Sequence, residues 1–244
     1  MANGIYTAVS GAVAQTNILE TVANNLANIS TAGFKTGQVS FAEVLAKSAA
    51  NGRKDIGSFV RPSEIRMDLR PGTLRPTENP MDVALEGKGF LCLQEKNEVI
   101  FSRGGAVQIR ADGVLADMDG RALLGRNNKV LRPGLNAGAL TIGADGTVET
   151  PNGTVGVLKV VEFDQPALLQ RLGGNRMSAP PAAGERAAKG TQVRQGYLEL
   201  SNVNPVSEIS SMIVASRAYE TLHRLISTFR DIDTRSANDL GQER

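Results

Sequence analysis

The residues of this sequence that could do chemistry are few and scattered. The single histidine, His223, falls inside a helical pattern, and the single cysteine, Cys92, falls in the apolar run FLCLQ. A zinc site needs several thiolate or imidazole ligands, and a Ser-His-Asp or Cys-His site would have to use this one histidine. We therefore interpret His223 as a helix-surface residue and Cys92 as a buried core thiol. We expect no metal and no cofactor.

Weaker patterns also have simpler explanations. Gly87-Lys88-Gly89 resembles part of a phosphate loop, but the full motif G-x-x-x-x-G-K-[ST] cannot be completed around it, which favours a tight turn. Asp231 and Asp233 could form a carboxylate pair for glycoside chemistry, but near a predicted helix end they point to different faces. Two glycosylation acceptor patterns, at 28–30 and 152–154, are of a kind that occurs often by chance. The sequence predicts no enzyme active site and no small-molecule substrate.

Charge and hydropathy exclude several other classes. The 27 basic and 25 acidic residues give a net charge of +2 without a basic face, so we expect no nucleic-acid partner. The first charged residue is Glu20 and the first basic one is Lys35, unlike the start of a secretory signal peptide. No run approaches the roughly 20 apolar residues of a membrane span. On these facts alone the chain would be cytoplasmic and not membrane-spanning.

Both ends of the chain carry helical apolar stripes. The N-terminal stripe repeats every 3.5 residues through Ile5, Ala8, Ala12, Gln15, Leu19, Val22, Leu26 and Ile29. At the other end, Asn204 and Pro205 predict a helix start, Glu208 lies in the first turn, and a helix is expected over about 205–234. Its apolar positions are Ile209, Met212, Tyr219, Leu222, Ile226, Phe229 and Ile232. We expect the two stripes to pack against each other and against other copies.

The middle of the chain, about 56–200, has a β pattern. Alternating apolar residues are separated by four turn dipeptides, at 112–113, 119–120, 145–146 and 152–153. QIRADGVL and TIGADGTV suggest one strand-turn-strand unit used twice. Segments 46–58 and 173–192 are poor in large apolar residues and predict loops, the second an exposed excursion. The predicted fold class is α+β: terminal helices form a coiled-coil-like layer (1–50 and 201–244), and a mainly β domain (51–200) is inserted between them.

Three segments resemble the signatures of the bacterial flagellar rod and hook proteins. They are IYTAVSGAVAQTNILETVANNLANISTAGFK at 5–35, NPMDVALEGKGFL at 79–91 and GYLELSNVNPVSEISSMIVASRAYE at 196–220. They come in the family's order and cover both ends of the chain. Within the family, the IYTA start, the short loop before the β domain and the length are most similar to the proximal-rod subunits. The distal-rod and hook-type subunits are the alternative.

The resemblance implies a structural axial subunit that assembles helically around a central channel and transmits torque from motor to hook. Its partners would be copies of itself, other rod subunits and the flagellar type III export apparatus. Export without a cleaved signal peptide would place it in the periplasmic rod of the basal body, which replaces the cytoplasmic interpretation. A carbohydrate- or peptidoglycan-active β domain is the weaker alternative, because it rests only on hairpins and scattered carboxylates.

The resemblance also assigns two sets of residues. In the family, ANNLANISTAGFK ends the N-terminal helix at a joint, where we expect Gly33 to need a positive φ and Phe34 to fill a pocket. The joint residues are Asn24, Asn25, Asn28, Thr31, Gly33 and Phe34. The expected subunit interface consists of Ile5, Ala8, Ala12, Leu19, Val22, Leu26, Ile29, Ile209, Met212, Tyr219, Leu222, Ile226 and Phe229.

Overall fold

The chain divides into two compact units in a computed structural model that describes residues 2–46, 57–96, 98–135 and 137–242. The helical unit comprises Met1–Ala27, Gly37–Arg66 and Asn204–Arg244, and the β unit comprises Asn28–Thr36 and Met67–Val203. Among the described residues, no helix combines the length and apolar character needed to span a membrane. The α+β fold class predicted from the sequence is confirmed.

The elements follow the chain in an α-β-α order. The helices are α1 (Ala2–Ala27) and α2 (Pro205–Gln242). The strands are β1 (Gly37–Ala46), β2 (Gly57–Met67), β3 (Leu74–Pro76), β4 (Asp82–Glu86), β5 (Phe90–Glu95), β6 (Glu98–Ser102), β7 (Gly104–Ile109), β8 (Leu115–Asp117), β9 (Ala122–Leu123), β10 (Thr141–Ile142), β11 (Thr147–Thr150), β12 (Gly153–Val157), β13 (Val160–Phe163), β14 (Gln170–Gly173), β15 (Arg176–Ser178), β16 (Glu185–Ala187), β17 (Gln192–Gln195) and β18 (Tyr197–Glu199). Short 3₁₀ turns lie at Pro166–Leu168 and Pro181–Ala183.

In the helical unit, α1 and α2 run antiparallel with small residues of α1 facing large residues of α2. Gly4 of α1 faces the ring of Phe229, and Gly11 faces Leu222, one heptad along both helices. A Cβ at Gly11 would lie 3.3 Å from a methyl carbon of Leu222, so the helices approach closely here. The expectation that the two apolar stripes pack against each other is confirmed.

The boundaries of the helices differ from those that the sequence predicts. The N-terminal helix ends at Ala27, so Ile29 lies in the following turn and not on the helical stripe. At the other end α2 starts at Pro205 as predicted, because Asn204 Oδ1 accepts hydrogen bonds from the amides of Val206 (3.1 Å) and Ser207 (3.3 Å). It continues past the predicted end to Gln242, so Asp231 lies well inside a helix.

The segment after α1 contains two strands: β1 lies outside the predicted β region, and β2 lies at the start of it. Strands β1 and β2 pair with each other in a two-stranded sheet of the helical unit. Of the predicted loop 46–58, residue 46 ends β1 and residues 57 and 58 begin β2, while 47–56 lie outside the described residues.

The β unit is built on an eleven-stranded sheet, in the part of the chain that the structure describes. Its main path runs β14-β15-β6-β5-β9-β8-β7-β4-β17, with β13 joining β5 to β16. Strands β10, β11 and β12 form a separate antiparallel sheet, and β3 pairs with β18. One buried cluster centres on Leu85, Ile100, Leu115 and Leu158, and a second on Phe90, Phe101 and Phe163.

The turns of the β unit confirm the dipeptide predictions. At Asp112-Gly113, the amide of Gly113 donates to Arg110 O and the amide of Arg110 donates to Val114 O. At Asp145-Gly146, Gly146 and Gly143 repeat the same two bonds, to Gly143 O and Thr147 O. In both turns the aspartate Oδ1 accepts from the amide two residues on. The repeated strand-turn-strand unit is therefore real.

The prediction that 173–192 is an exposed excursion is wrong. Within this segment β15 pairs with β6, and β16 pairs with β13. Met177 of β15 and Ala183 are buried in the second cluster, with 2% and 0% of their surfaces exposed. The strands are only three residues long and contribute single apolar residues, so no alternating pattern marks them in the sequence.

This correction predicts that two positions on one hairpin differ in sensitivity. Met177→Asp buries a carboxylate among aromatic rings and should destabilise the β unit by more than about 3 kcal/mol. Leu172→Asp, at a position that is 43% exposed, should cost less than about 1 kcal/mol. Urea denaturation followed by β-sheet circular dichroism measures both. Equal destabilisation by the two variants would contradict the packing of β15.

Candidate functional site

The chain passes between the two units at four points, and in the β unit Asn202 ties together three of the segments that lead to them. Its Oδ1 accepts from the amide (2.7 Å) and the hydroxyl (2.8 Å) of Thr36, the last residue before β1. Its Nδ2 donates to the carbonyls of Asp68 (2.8 Å) and Arg70 (3.1 Å), just after β2. One amide side chain, two residues before Asn204, where the chain enters the helical unit again, therefore joins all three segments.

A buried ionic cluster lies next to this asparagine. The Glu199 carboxylate is 1% exposed, with Lys35 Nζ at 2.5 Å from Oε1 and Arg103 Nε at 3.0 Å from Oε2. The amide of Gly72 also donates to Oε1 (2.8 Å), and Lys35 Nζ donates to Arg70 O (2.7 Å). Burial lowers the pKa of Lys35, and Arg103 adds to that effect while Glu199 opposes it. One carboxylate thus compensates two buried cations.

Arg103 extends the cluster to the turn between β4 and β5. Its guanidinium donates to the carbonyls of Leu85 (3.2 Å), Gly87 (2.8 Å) and Gly89. The predicted turn at Gly87-Lys88-Gly89 is confirmed, and its carbonyls bind a cation of the protein itself. Among the described residues no cluster of three or more histidine, cysteine or acidic residues is placed to hold a metal ion.

The residues Gly33 and Phe34 sit beside the same cluster. Gly33 has a φ of 71°, as expected from the sequence, and a Cβ there would lie 3.1 Å from Arg103 Cβ. Phe34 is fully buried, with the Arg171 guanidinium 4.3 Å from its ring centroid. Burial lowers the pKa of Arg171. Only glycine combines the required φ with the required lack of a side chain.

In the helical unit a second asparagine plays the equivalent part. Asn25 is 1% exposed; its Oδ1 accepts from the amide of Gly37 (2.9 Å), and its Nδ2 donates to the carbonyl of Gly37 (2.9 Å). Nδ2 also donates to Glu208 Oε2 (3.1 Å) in the first turn of α2. Asn25 therefore links α1, the start of β1 and the start of α2 within this unit. Thr36 and Gly37, adjacent in sequence, are each held by a different asparagine.

The other joint residues have more local roles. The Thr31 hydroxyl donates to Asn28 Oδ1 (3.1 Å), and the Thr31 amide donates to Asn28 O (3.1 Å), which shapes the turn after α1. Asn24 is exposed on the last turns of α1. Of the three asparagines in the run, Asn25 is the one that the fold buries.

The residues expected at the subunit interface divide into two groups. Several pack inside the chain, where Ala8, Ala12 and Ile226 form a buried cluster with Tyr219 and Leu222 against it, and Phe229 faces Gly4. Val22 is also buried, Ile209 is 50% exposed, and the half-buried members are Ile5, Leu19, Leu26, Ile29 and Met212. The most exposed apolar residues of the helices are different ones.

The candidate chemical residues are a buried thiol and three exposed side chains of α2. Cys92 is 1% exposed, and burial raises the pKa of its thiol to about 12, which suppresses the reactive thiolate. His223 lies exposed on α2 with its ring against Tyr219. Asp231 and Asp233 are exposed on α2.

Sequence reasoning missed the charged members of the site. These residues come from four segments far apart in sequence, and nothing local marks Arg103 or Arg171 as buried; they are Lys35, Arg103, Arg171 and Glu199. Lys35 and Glu199 did carry a signal, since each is the one charge in an otherwise uncharged part of a family signature. Predicting the ion pair between Lys35 and Glu199 would have required knowing that the segment after α1 and the segment before α2 both belong to the β unit.

The geometry of the ionic cluster predicts that loss of its carboxylate and loss of one of its cations destabilise the β unit to different extents. Glu199→Gln leaves two buried cations without a carboxylate and should destabilise the β unit by roughly 3 to 5 kcal/mol. Lys35→Met keeps the Arg103–Glu199 pair and removes a cation whose burial is costly, so it should cost less than about 1.5 kcal/mol. Urea midpoints of the full chain measure the difference. A larger loss of stability for Lys35→Met than for Glu199→Gln would contradict this prediction.

The geometry at Gly33 predicts a ranking of substitutions. Gly33→Val forces a β-branched residue to a positive φ and brings its Cβ against Arg103, with a backbone cost of the order of 1 to 3 kcal/mol. Gly33→Asn should lower the melting temperature less, because asparagine tolerates this region better. Thermal melts of the β unit in the full chain compare the two. Identical melts would show that this turn tolerates any φ.

Comparisons with known proteins agree with these features. Residues 5–35 match the family described as "Flagella basal body rod protein", and residues 194–240 match "Flagellar basal body rod FlgEFG protein C-terminal". The chain is 33% identical to the flagellar basal-body rod protein FlgG of Agrobacterium fabrum, over 91% of this chain and 93% of that protein. It is 26% identical to the flagellar basal-body rod protein FlgF of Mesorhizobium japonicum, over 100% of both chains.

The two matched segments contain both asparagines that hold Thr36 and Gly37, together with Lys35, Glu199 and most of the helix pair. The chain therefore belongs to the flagellar basal-body rod protein family, a family of structural proteins rather than enzymes.

Proposed function

We propose that this chain is an axial subunit of the flagellar rod, and that it assembles with copies of itself and with other rod subunits through the outward faces of α1 and α2. The observation that carries the proposal is the number of large apolar side chains left exposed on a helix pair whose inner face is already filled. Val206 is 73% exposed, Val214 68% and Tyr6 62%. Such surfaces are typical of interaction sites.

The exposed apolar residues fall on defined helix faces. On α1, Tyr6, Val9 and Val13 follow an i, i+3, i+7 spacing that places them on one face. On α2 two faces carry exposed apolar residues. The first face has the same spacing and consists of Val206, Ile209 and Ile213. The second face lies elsewhere around the helix and consists of Val214, Leu225 and Ile232. A helix with apolar residues on several sides is suited to be surrounded by other helices.

The exposure of the helix residues divides the predicted interface residues into two groups. We assign Ala8, Ala12, Tyr219, Leu222, Ile226 and Phe229 to the pairing of α1 with α2 in one chain, as a unit that can then assemble. We assign contact between copies to the exposed residues, together with the half-buried members of the predicted set. The charge pattern supports this, because Glu20 is the one charged residue of α1, and apolar contact must dominate.

We further propose a position in the proximal rod, with helical assembly around a central channel, export by the type III apparatus without a cleaved signal peptide, and a site of action in the periplasmic space. The full-length alignment with FlgF of Mesorhizobium japonicum supports the proximal position, whereas the higher identity to FlgG of Agrobacterium fabrum supports the distal one. Torque transmission is consistent with the dense hydrogen bonding at Thr36 and Gly37. A map of the intact basal body would assign the level of this chain.

Charging an exposed face tests the assembly proposal. Val214→Asp adds a carboxylate at a solvent-exposed position, so the purified monomer should melt like the parent. Burial of that charge between copies should cost several kcal/mol per subunit and should abolish rod assembly and motility. Cells carrying the variant in place of the native chain, scored for swimming and for isolated rods, provide the readout.

The control is Glu220→Asp, which places the same residue on the same helix where a charge is already exposed. This variant should swim normally. Normal swimming of Val214→Asp cells would show that the Val214 face is not buried in the rod.

A further inference from the structure

The outward sides of α1 and α2 carry the same order of residue types at the same spacing. Steps of three and four residues place each set along one side of its helix, as in the core positions of a coiled coil. Seam A of α1 consists of Tyr6, Val9, Val13, Thr16 and Glu20. Seam B of α2 consists of Val206, Ile209, Ile213, Ser216 and Glu220. Each seam therefore runs from three apolar residues through a hydroxyl residue to a glutamate.

In the single chain the apolar part of each seam is open to solvent. The six apolar side chains are between 42% and 73% exposed. Glu20 and Glu220 are also exposed, and neither forms an ion pair with another residue that the structure describes. Burial of the apolar side chains against another helix would remove them from water. The cover that the proposed rod assembly supplies is a helix of a second copy.

The glutamates disfavour contact between two copies of the same seam. Copies in a rod follow one another by rotation and translation along a single axis, so the same helix of two copies meets in parallel. Whichever heptad step aligns two copies of seam A, Glu20 then lies against Glu20, Val13 or Tyr6. The same holds for Glu220 in seam B. Burying a carboxylate against a like charge or an apolar side chain is costly, so unlike seams are the favoured pair.

The antiparallel course of α1 and α2 within one chain sets the direction of this contact. Gly4 faces Phe229 and Gly11 faces Leu222, so the two helices point in opposite directions. Rotation and translation along the rod axis leave the direction of each helix along that axis unchanged. Seam A of one copy therefore meets seam B of the next in antiparallel orientation. Each copy keeps one free seam of each kind, which lets the contact repeat without closing.

We propose, on the basis of the rod assembly proposed above, that seam A of one copy packs antiparallel on seam B of the next in a single register. Val9 lies over Ile213, and Val13 lies over Ile209. The layer on either side of these two pairs an apolar residue with a hydroxyl residue. The centre of the contact is thus apolar, and the charged end of each seam lies outside it.

The two glutamates select this register from the alternatives. Glu20 lies just beyond the first residue of the opposite α2, and Glu220 lies at the first residue of the opposite α1. Each carboxylate then faces the positive, amino-terminal end of the other helix, which is favourable. A shift of one heptad in one direction would place Glu20 over Ile209, and a shift in the other direction would carry Val13 past the end of α2.

Disulfide trapping between copies tests the register. The full-length chain carrying Val9→Cys and Ile213→Cys replaces the native chain in cells, and isolated rods are oxidised with glutathione disulfide. Within one chain Val9 lines a groove with His223 and Ile226, so residue 213 of the same chain is at least ~15 Å away along α2 and cannot form the bond. Cys92 is buried and does not compete.

The matched control carries Val9→Cys and Ile209→Cys, a pair that a parallel contact would bring together. Non-reducing electrophoresis should show covalent chains of two or more copies from the 9/213 variant, about tenfold more than from the control, because a disulfide forms only between closely placed Cα atoms. The variant with Val13→Cys and Ile209→Cys tests the adjacent layer and should behave like the 9/213 variant.

Three results would overturn the register: more cross-linking in the control, equal cross-linking in the control and the 9/213 variant, or as many dimers from Val9→Cys alone. All three are obtained with rods present, so they differ from failure of the assembly proposal, which is the absence of this chain from the rods of parent cells. If the doubly substituted chains form no rods, purified Val9→Cys chain mixed with Ile213→Cys chain or with Ile209→Cys chain gives the same comparison.

Discussion

The Glu199 carboxylate is the group on which the organisation of the β unit depends. It is nearly inaccessible to solvent, and it faces Lys35 from the start of the chain and Arg103 from the sheet. A buried charge is tolerated only where opposite charges and hydrogen bonds compensate it. Because the Glu199 carboxylate accepts hydrogen bonds from Lys35, Gly72 and Arg103 together, it couples distant segments of the chain to one position in the fold.

Two asparagines, the buried Asn25 and the half-buried Asn202, extend this constraint on either side of the bond between Thr36 and Gly37. An amide side chain offers both donors and acceptors, so it can satisfy backbone groups in segments that form no regular ladder. Asn202 does so for Thr36, Asp68 and Arg70 in the β unit, and Asn25 does so for Gly37 and Glu208 in the helical unit. The irregular segments that leave each unit are therefore fixed by side chains where secondary structure cannot fix them.

The helix pair buries one face of each helix and still leaves apolar surface exposed, as the proposed assembly requires. Small residues on α1, such as Gly4 and Gly11, let α2 approach closely and place Phe229 and Leu222 over them. This leaves Tyr6, Val9 and Val13 on the outside of α1. Pairing through small residues thus leaves these larger side chains exposed.

The sequence by itself determined the α+β class, the start of α2 at its asparagine cap, the ADG turns, the positive φ of Gly33 and the membership of a rod family. Each of these is encoded within a few neighbouring residues, as an apolar period, a cap, a turn dipeptide or a contiguous signature. Tertiary structure alone decided that β14–β16 belong to the sheet, since each contributes only one or two apolar side chains. It also decided which charges are buried, because Lys35, Arg103 and Glu199 compensate one another across up to 164 residues of chain, and no local pattern records a pairing made at that separation.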